Sequence, residues 1–324
     1  MLQGQRIART SGISKNRKTN NMDIEQQKTV DPLTGEQSTP HDLQLFAYQE
    51  WKAKGRHLEE YACELIGTAL LVMAVIGAVA VVQASGSPIS AIVKPIQLRL
   101  LLTGFIIATS GLLITISPLG RLSGAHLNPA ISLGFWMLGK LSRRDMIGYI
   151  VSQMAGAIVG AFASRPIFGM LAREVKFAAM APGPRVSVAM AFTGELLCSF
   201  AMALAIYFFV SHEKLARWTP FMLVALIPFL VLADGTVSGC GMNPARWIGP
   251  AYIANIWEAA WIYIVGPAAG ATLAVLLRKS GLAKHSMPVT AKLFHDANYR
   301  SLFKHDILPT KIHIPKGNNA VGSE

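Results

Sequence analysis

Six long apolar blocks, separated by short polar stretches, occupy the chain between residues 58 and 277. Blocks of about 18 or more apolar residues with almost no charge are typical of membrane-spanning helices. Charged residues make up only 15% of the chain, whereas they make up about 25% of an ordinary soluble domain. The sequence therefore predicts an all-α, integral multi-pass membrane protein. Its six predicted spans are Leu58–Val82, Leu98–Ser117, Met146–Ala163, Val188–Val210, Trp218–Ala233 and Ile256–Leu277.

The two halves of this region repeat the same features in the same order. Glu64 in the first span is matched by Glu195 in the fourth, and a Ser-Gly turn followed by Asn-Pro-Ala comes after the second and the fifth span. Each half has three spans, so the second crosses the membrane upside down, and such inverted repeats place their functional site where the halves meet. We expect repeat one at about 58–165 and repeat two at about 188–278.

A pair of glycines four residues apart also recurs, in the third span and again in the sixth. Small residues at this spacing allow two membrane helices to approach closely. We expect these pairs to serve close helix crossings between the two halves. The residues are Gly156, Gly160, Gly266 and Gly270.

Each Asn-Pro-Ala triplet opens a short apolar run, Asn128–Leu138 in one half and Asn243–Ile253 in the other. Ten residues of helix measure about 15 Å, which is half of a hydrocarbon core about 30 Å thick. Asparagine is a favoured helix N-cap, and proline suits the first helical position. The sequence therefore predicts two half-helices whose N-termini meet at the membrane centre. Their motif residues are Asn128, Pro129, Ala130, Asn243, Pro244 and Ala245.

Two such N-termini would form a barrier to ions inside a pore. The positive ends of the helix dipoles repel cations, and the asparagine amides can donate to a water or hydroxyl oxygen, which interrupts a proton-conducting chain. The backbone before each half-helix must be non-helical, and such backbone at membrane depth is tolerated where it lines a cavity. We therefore expect the carbonyl groups of six residues to face the pore. They are Gly124, Ala125, His126, Gly239, Cys240 and Gly241.

Two Asn-Pro-Ala segments in an inverted six-span frame resemble the aquaporin, or major intrinsic protein, family over about residues 58–277. The resemblance implies six tilted helices plus two half-helices, a homotetramer with one pore per subunit, and a passive channel for water and small uncharged solutes. It also implies that Glu64 and Glu195 support the re-entrant loops by accepting backbone N–H bonds, although carboxylates within spans could also act as proton relays. The resemblance and the spacing from the motifs place a selectivity constriction at Arg246, Cys240, Val231 and Ala108.

The sequence supports two alternatives for the solute that the channel admits. Small side chains at Ala108 and Val231 predict a wide constriction that admits glycerol, urea or neutral metalloid hydroxides, with a strictly water-selective channel as the alternative. In the family that the chain resembles, the residue directly after the arginine is usually Asp in glycerol-passing channels and a small residue in water channels. Trp247 matches neither, and it could pack behind Arg246 or narrow the mouth of the pore. A buried ion pair between Arg246 and Glu195 is a further alternative for this arginine.

The flanks differ from the channel domain, residues 56–278. Residues 1–55 are polar and are expected to lack stable structure, and residues 279–324 are expected to form a solvated, basic tail. The tail histidines are scattered rather than spaced as metal ligands, so we expect no metal and no cofactor. The bias of lysine and arginine places both termini in the cytoplasm, on a plasma or inner membrane. The four tail histidines are His285, His295, His305 and His313.

Other functional classes find less support. A secondary transporter needs a coupling carboxylate at the midplane, and Asp234, the one candidate, lies near a span end. No nucleophile–base pairing or phosphate loop indicates an enzyme, and no folded basic surface indicates a nucleic-acid partner. Cys63 and Cys198 are interpreted as packing residues. A membrane interaction protein with a vestigial pore remains an alternative because both tails are long.

Overall fold

The computed structural model describes residues 29–30, 37–38, 52, 55, 57–280, 288, 290–296 and 298–303, and it divides into two units, Met1–Ala53 and Lys54–Glu324. In the first unit, strand β1 (Thr29–Val30) pairs antiparallel with strand β2 (Gln37–Ser38). Nearly all of the remaining predicted N-terminal tail lies outside the described residues. Of the four tail histidines, His295 alone lies within them.

The second unit is helical throughout its regular structure, as the sequence predicted. In chain order the helices are α1 (Leu58–Gln83), α2 (Pro88–Ile92), α3 (Ile96–Ile116), α4 (Pro118–Ser123), α5 (Pro129–Met137), α6 (Arg143–Glu174), a 3₁₀ turn (Lys176–Ala178), α7 (Val188–Phe209), α8 (Glu213–Ala216), α9 (Thr219–Asp234), α10 (Pro244–Ala254) and α11 (Ile262–Lys279). Among the described residues, five of these helices are long and apolar enough to span a membrane: α1, α3, α6, α7 and α11. Helix α9 is apolar but has 16 residues, about 24 Å of helix.

Two span boundaries differ from the prediction. The sixth span begins at Ile262 rather than Ile256 because Asn255 adopts a left-handed conformation (φ 53°) that ends α10, and a turn follows it. The third span extends to Glu174, with a kink at Gly169 (φ 48°) three residues after Pro166. Apolarity alone does not mark these turns, because the residues within them are themselves largely apolar.

The glycine pairs pack within each repeat rather than between the halves, so the predicted role for them is wrong. A Cβ atom on Gly156 would lie 2.2 Å from the carbonyl oxygen of Leu65 in α1, and one on Gly270 would lie 2.4 Å from the carbonyl oxygen of Leu196 in α7. In each repeat the third span folds back against the first, so α6 packs on α1 and α11 packs on α7. The halves meet instead where α9 packs on α3 and where α10 packs on α6.

Candidate pore and constriction

Both half-helices begin at the asparagine of their Asn-Pro-Ala triplet. The Oδ1 atom of Asn128 accepts a hydrogen bond from the backbone N–H of Ala130 at 2.9 Å, at the start of α5. The Oδ1 atom of Asn243 accepts one from Ala245 at 2.9 Å, at the start of α10. The cap satisfies an N–H group that has no partner inside the helix. Each helix start is therefore fixed by the residue that also faces the opposite repeat.

The same two asparagines join the repeats. The amide nitrogen of Asn128 donates to the carbonyl oxygen of Met242 at 2.9 Å, and that of Asn243 donates to the carbonyl oxygen of Leu127 at 2.9 Å. Each amide has two N–H groups, and the bond across the repeats uses one of them. The other is left to donate into the space between the half-helices.

The carboxylate of Glu64 holds the first re-entrant loop. This fully buried side chain accepts hydrogen bonds from the backbone N–H of Leu127 at 2.7 Å and of His126 at 3.1 Å. It also accepts from Ser123 Oγ and Gln153 Nε2, both at 2.7 Å. Four donors compensate for the cost of burying a charge at this depth.

Glu195 makes the equivalent set of bonds in the second repeat. It accepts from the backbone N–H of Gly241 at 2.6 Å and of Met242 at 2.8 Å, and from Ser238 Oγ at 2.7 Å. The loop it holds takes an unusual path, since Cys240 and Met242 have φ of 50° and 53°. Non-glycine residues at positive φ are strained and persist where surrounding contacts fix them. The carboxylate supplies those contacts.

A cavity of about 300 Å³ lies between the half-helices, and Asn128 and Asn243 both line it. The four residues predicted for the constriction, Arg246, Cys240, Val231 and Ala108, also line this cavity. Four of the other residues predicted to present carbonyl groups lie on it as well: Ala125, His126, Gly239 and Gly241. Much of the remaining lining is apolar, with Leu71, Val75, Val79, Ile107, Met202, Ile206, Leu223 and Ile227.

Gly124 departs from the prediction for the loop carbonyl groups. Its carbonyl oxygen accepts a hydrogen bond from the backbone N–H of Leu293, at 3.0 Å, and Gly124 itself is not part of the cavity wall. Leu293 belongs to the C-terminal segment and lines the cavity. The neighbouring His126 ring also contacts this segment, with Nε2 lying 2.9 Å from the carbonyl oxygen of Ala291, while Nδ1 lies 3.1 Å from Ser132 Oγ.

Arg246 is the third residue of α10 and directs its guanidinium group to the sulfur of Met180. Glu195, the alternative ion-pair partner considered from the sequence, uses its carboxylate for the loop N–H groups instead. Arg246 therefore keeps its position on the cavity wall. A cation at membrane depth is costly and commonly marks a pathway.

Trp247 packs behind the arginine and does not narrow the mouth of the pore. This decides between the two positions that the sequence left open for its side chain. Its side chain is 3% exposed, and its ring stacks on that of Tyr263 with centroids 6.2 Å apart. The ring of Trp257 lies 5.8 Å away, edge to face. Trp247 is not among the cavity-lining residues, so its bulk leaves the opening between the half-helices unchanged.

Two features of this region have no signal in the sequence. Residues 290–296 and 298–303, predicted to be solvated, are largely buried, with Ala291, Lys292 and Phe303 all at 0% exposure, so that prediction is wrong for this segment. The second feature is a cluster of Cys198, Asp234 and Cys240. No motif spacing announces either one, because both depend on contacts between residues far apart in the chain.

Comparison with known proteins agrees with this architecture. The family described as Major intrinsic protein matches residues 50–278. The chain is 30% identical over 260 residues to the probable aquaporin NIP7-1 of Arabidopsis thaliana, covering 79% of this chain and 89% of that relative. It is 31% identical over 229 residues to aquaporin-8 of Mus musculus, covering 69% of this chain and 82% of that relative.

A solved structure supports the fold independently. The aquaglyceroporin from Plasmodium falciparum superposes with a TM-score of 0.58 at 21% identity, covering 71% of this chain and 98% of that chain. Within the part of the chain that the structure describes, five helices are long and apolar enough to cross a membrane, which agrees with an integral membrane protein. The inverted repeat, the paired half-helices and the match over residues 50–278 lead to one conclusion: the chain belongs to the major intrinsic protein family.

Proposed function

We propose that this chain, a passive membrane channel, conducts water and small uncharged solutes such as glycerol, urea and neutral metalloid hydroxides, and excludes ions and protons. The observation that carries the proposal is the meeting of Asn128 and Asn243 across the repeats, on the wall of a cavity that Arg246 also lines. This arrangement gives a permeating molecule fixed hydrogen-bond donors inside an otherwise apolar passage.

The electrostatics of the cavity disfavour cations. Each half-helix presents about half a positive charge at its N-terminus, and both N-termini lie at the cavity, where Arg246 adds a full charge. A water oxygen that accepts bonds from Asn128 and Asn243 has both of its protons directed away from the crossing point. Such a water cannot pass a proton along the chain, which accounts for proton exclusion.

The side chains of the constriction favour solutes larger than water. Ala108, Val231 and Cys240 are all small, and they line the same cavity as Arg246. Small apolar groups accommodate the carbon face of a polyol, while the guanidinium group donates to its hydroxyl oxygens. Because Trp247 packs against Tyr263 rather than lining the cavity, it does not restore a narrow, strictly water-selective opening.

We also propose a homotetramer with one pore per subunit and both termini in the cytoplasm, on a plasma or inner membrane. Large apolar side chains exposed on the spans support a surface covered by lipid or by neighbouring subunits; Phe105 is 52% exposed and Phe229 is 64% exposed. Native mass spectrometry of the protein in nanodiscs tests the subunit number, and a stable monomer would contradict the tetramer.

Stopped-flow light scattering on proteoliposomes tests the solute proposal. We expect water efflux and glycerol entry both to exceed those of empty vesicles. Val231→Phe should reduce glycerol entry more than water efflux, because the larger side chain narrows the cavity. Val151→Phe is a matched control, since Val151 is 62% exposed on α6. Water flux without glycerol flux in the unmutated chain would instead favour the strictly water-selective alternative.

A further inference from the structure

Three separate elements bring ligand atoms together behind the cavity wall. Cys198 lies on α7, Asp234 ends α9, and Cys240 lies in the second re-entrant loop. Two sulfur atoms and one carboxylate oxygen all lie within 4.8 Å of one another, and all three residues are buried. Both cysteines are free thiols. The cluster therefore combines ligand types that bind soft divalent cations.

The distances suit a thiophilic cation after a small contraction. Zinc lies about 2.3 Å from a cysteine sulfur and about 2.0–2.2 Å from a carboxylate oxygen, so tetrahedral ligand atoms are about 3.5–3.8 Å apart. Contraction from 4.8 Å is well within side-chain motion. Thiolate ligands select Zn²⁺ and related soft ions over Mg²⁺ and Ca²⁺. Three protein ligands leave a fourth position open for water.

The hydrogen bonds around Asp234 independently show that its carboxylate needs a further partner. Ser238 Oγ lies 2.5 Å from Asp234 Oδ2 and 2.7 Å from Glu195 Oε1. A serine hydroxyl has one proton, so it can donate to only one of these carboxylates. Glu195 already has two backbone donors. When Ser238 donates to Glu195, the buried Asp234 carboxylate needs a proton or a cation.

We propose that Cys198, Asp234 and Cys240 form a binding site for a thiophilic divalent cation, Zn²⁺ or Cd²⁺, and that its occupancy reduces flow through the pore. Cys240 lines the cavity, so the site opens on the pore wall, and the two thiolates and the carboxylate supply negative charge that offsets the repulsion from Arg246. Binding forms two metal–sulfur bonds and one metal–oxygen bond, and the two thiol protons pass to water. Two protons leave as a divalent cation arrives, so the net charge beside Arg246 does not change.

Cadmium titration of the purified protein in nanodiscs tests this site. We expect thiolate-to-cadmium charge-transfer absorption that saturates at one ion per subunit, with a parallel fall in water permeability of proteoliposomes. Cys198→Ser is the decisive variant, because Cys198 does not line the cavity. It should weaken cadmium binding by about tenfold or more, since it removes a direct ligand.

Cys63→Ser is the matched control, because Cys63 is the remaining cysteine and lies outside the cluster. It should leave cadmium affinity unchanged. Absence of cadmium absorption in the unmutated protein would overturn the proposal. Full cadmium affinity in Cys198→Ser would overturn it as well, because binding would then need Cys240 alone. Asp234→Asn provides a second test. We expect this variant to bind cadmium more weakly, because an amide oxygen is a poorer ligand than a carboxylate.

A second inference rests on the C-terminal segment, residues 290–296 and 298–303, which contacts the first re-entrant loop. Leu293 bonds to the carbonyl oxygen of Gly124, and Ala291 bonds to the ring of His126. The ring of Phe303 stacks on His126 with centroids 5.2 Å apart. These contacts occupy polar groups of the first re-entrant loop beside the cavity that His126 and Leu293 both line.

Charged groups hold the segment in place. Arg300 Nε lies 2.8 Å from Glu60 Oε1, and Arg300 Nη2 lies 2.6 Å from Glu59 Oε2, at the start of α1. Arg121 in α4 pairs with Asp296 at 2.9 Å. Burial acts to raise the pKa of Asp296, but the hydrogen bonds of Asn298 and the charge of Arg121 outweigh burial and hold that pKa below its usual value. The carboxylate is therefore charged at neutral pH.

Lys292 adds a deeper anchor. Its side chain is fully buried, and Nζ donates to the carbonyl oxygens of Arg121 at 2.7 Å and Arg300 at 2.6 Å. A buried ammonium group is costly unless it is hydrogen-bonded. The bond to Arg121 ties the segment to α4, and the bond to Arg300 closes the segment on itself.

The geometry points to an intramolecular plug: residues 290–296 and 298–303 narrow the end of the pore at the first re-entrant loop, so that their release increases flow. Leu293 reaches far enough to line the same cavity as Asn128. This inference rests on the proposed channel function. Since Arg300 pairs with carboxylates that belong to α1, reversing its charge should detach the segment.

Water permeability of Arg300→Glu proteoliposomes tests the plug. We expect a rise of about threefold or more, because a buried pair becomes a repulsion. The double variant Arg300→Glu, Glu60→Arg restores opposite charges across the buried contact and should return permeability toward the unmutated value. Lys214→Glu makes the same charge change at an exposed position on α8 and should have no effect.

Hydrogen exchange of residues 290–303 gives the structural readout, with faster exchange expected in Arg300→Glu alone. Water flux that is measurable but equal in Arg300→Glu and the unmutated chain overturns the plug while leaving the channel intact. Water flux that stays at the level of empty vesicles in every variant contradicts both the plug and the channel.

Discussion

Replacing Glu195 with glutamine exchanges a carboxylate with two acceptor oxygens for an amide with one. In the structure, Oε1 accepts from Gly241 N at 2.6 Å and Ser238 Oγ at 2.7 Å, and Oε2 accepts from Met242 N at 2.8 Å. The glutamine NH₂ group must face one of these donors, so at least one buried N–H or O–H group loses its acceptor. The remaining bonds lose their charge assistance.

The cost follows from the burial of this site. Glu195 is 0% exposed, and a buried donor left without a partner costs about 1–3 kcal/mol, with hydrogen bonds to charged groups worth about 1.5–3 kcal/mol each. We therefore expect Glu195→Gln to lower the free energy of unfolding by about 3–5 kcal/mol. Because Cys240 and Met242 hold strained conformations in the same loop, part of this cost should appear as a displaced loop and reduced flux.

Thermal unfolding in detergent, followed by water permeability in proteoliposomes, checks both effects. Glu258→Gln is the matched control, since this exposed glutamate lies in the turn before α11. Wild-type stability in Glu195→Gln, with loss of proton flux alone, would refute the reasoning. That result would favour the proton-relay interpretation that the sequence left open.

Three further predictions concern other parts of the pore. Arg246→Ala should raise cation or proton leak in voltage-clamped membranes without changing subunit assembly, because it removes the full charge from the cavity wall; unchanged ion conductance would count against that role. A mercurial should block water flux through attack on Cys240, and Cys240→Ser should abolish the block, so persistent block in that variant would contradict its place on the wall. Gly156→Val should lower the free energy of unfolding by about 1–3 kcal/mol or more, because even a Cβ atom at this position would lie 2.2 Å from the Leu65 carbonyl oxygen. The control Ala155→Val, at an exposed neighbouring position, should leave the free energy of unfolding nearly unchanged.

The half-helices could be predicted from the sequence because their signals are local. In each half-helix the asparagine caps the N-terminus and the proline occupies the first helical position, so the residues of the triplet themselves fix where the helix starts. The constriction residues were placed by their spacing from these motifs. All four line the cavity, although their effect on solute selection stays a prediction.

The partners of the glycine pairs and the position of Trp247 could not be derived from spacing. A glycine pair predicts a close helix crossing but does not say which helix lies opposite, and here Gly156 meets α1 of its own repeat. Trp247 follows the arginine by one residue, so the helical turn directs it away from the cavity and toward Tyr263. Both outcomes depend on packing between distant segments.

The C-terminal segment is a stronger example of packing that the sequence does not predict. Its composition is polar and basic, which is typical of a solvated tail, yet Lys292 and Arg300 find acceptors on α1, on α4 and within the segment itself. Charged side chains enter a protein interior only when partners are placed for them. The partners on α1 and α4 lie more than 170 residues away in the chain, where sequence patterns do not reach.

Stopped-flow measurement of water and glycerol permeability, on proteoliposomes of the unmutated chain and of Arg300→Glu, tests the central claim most directly. The account predicts that both solutes permeate faster than in empty vesicles, with no accompanying proton conductance, and that the variant exceeds the unmutated chain. Permeability at the level of empty vesicles in both proteins, despite intact assembly, would contradict the conclusion that the cavity between Asn128 and Asn243 is a conducting pore.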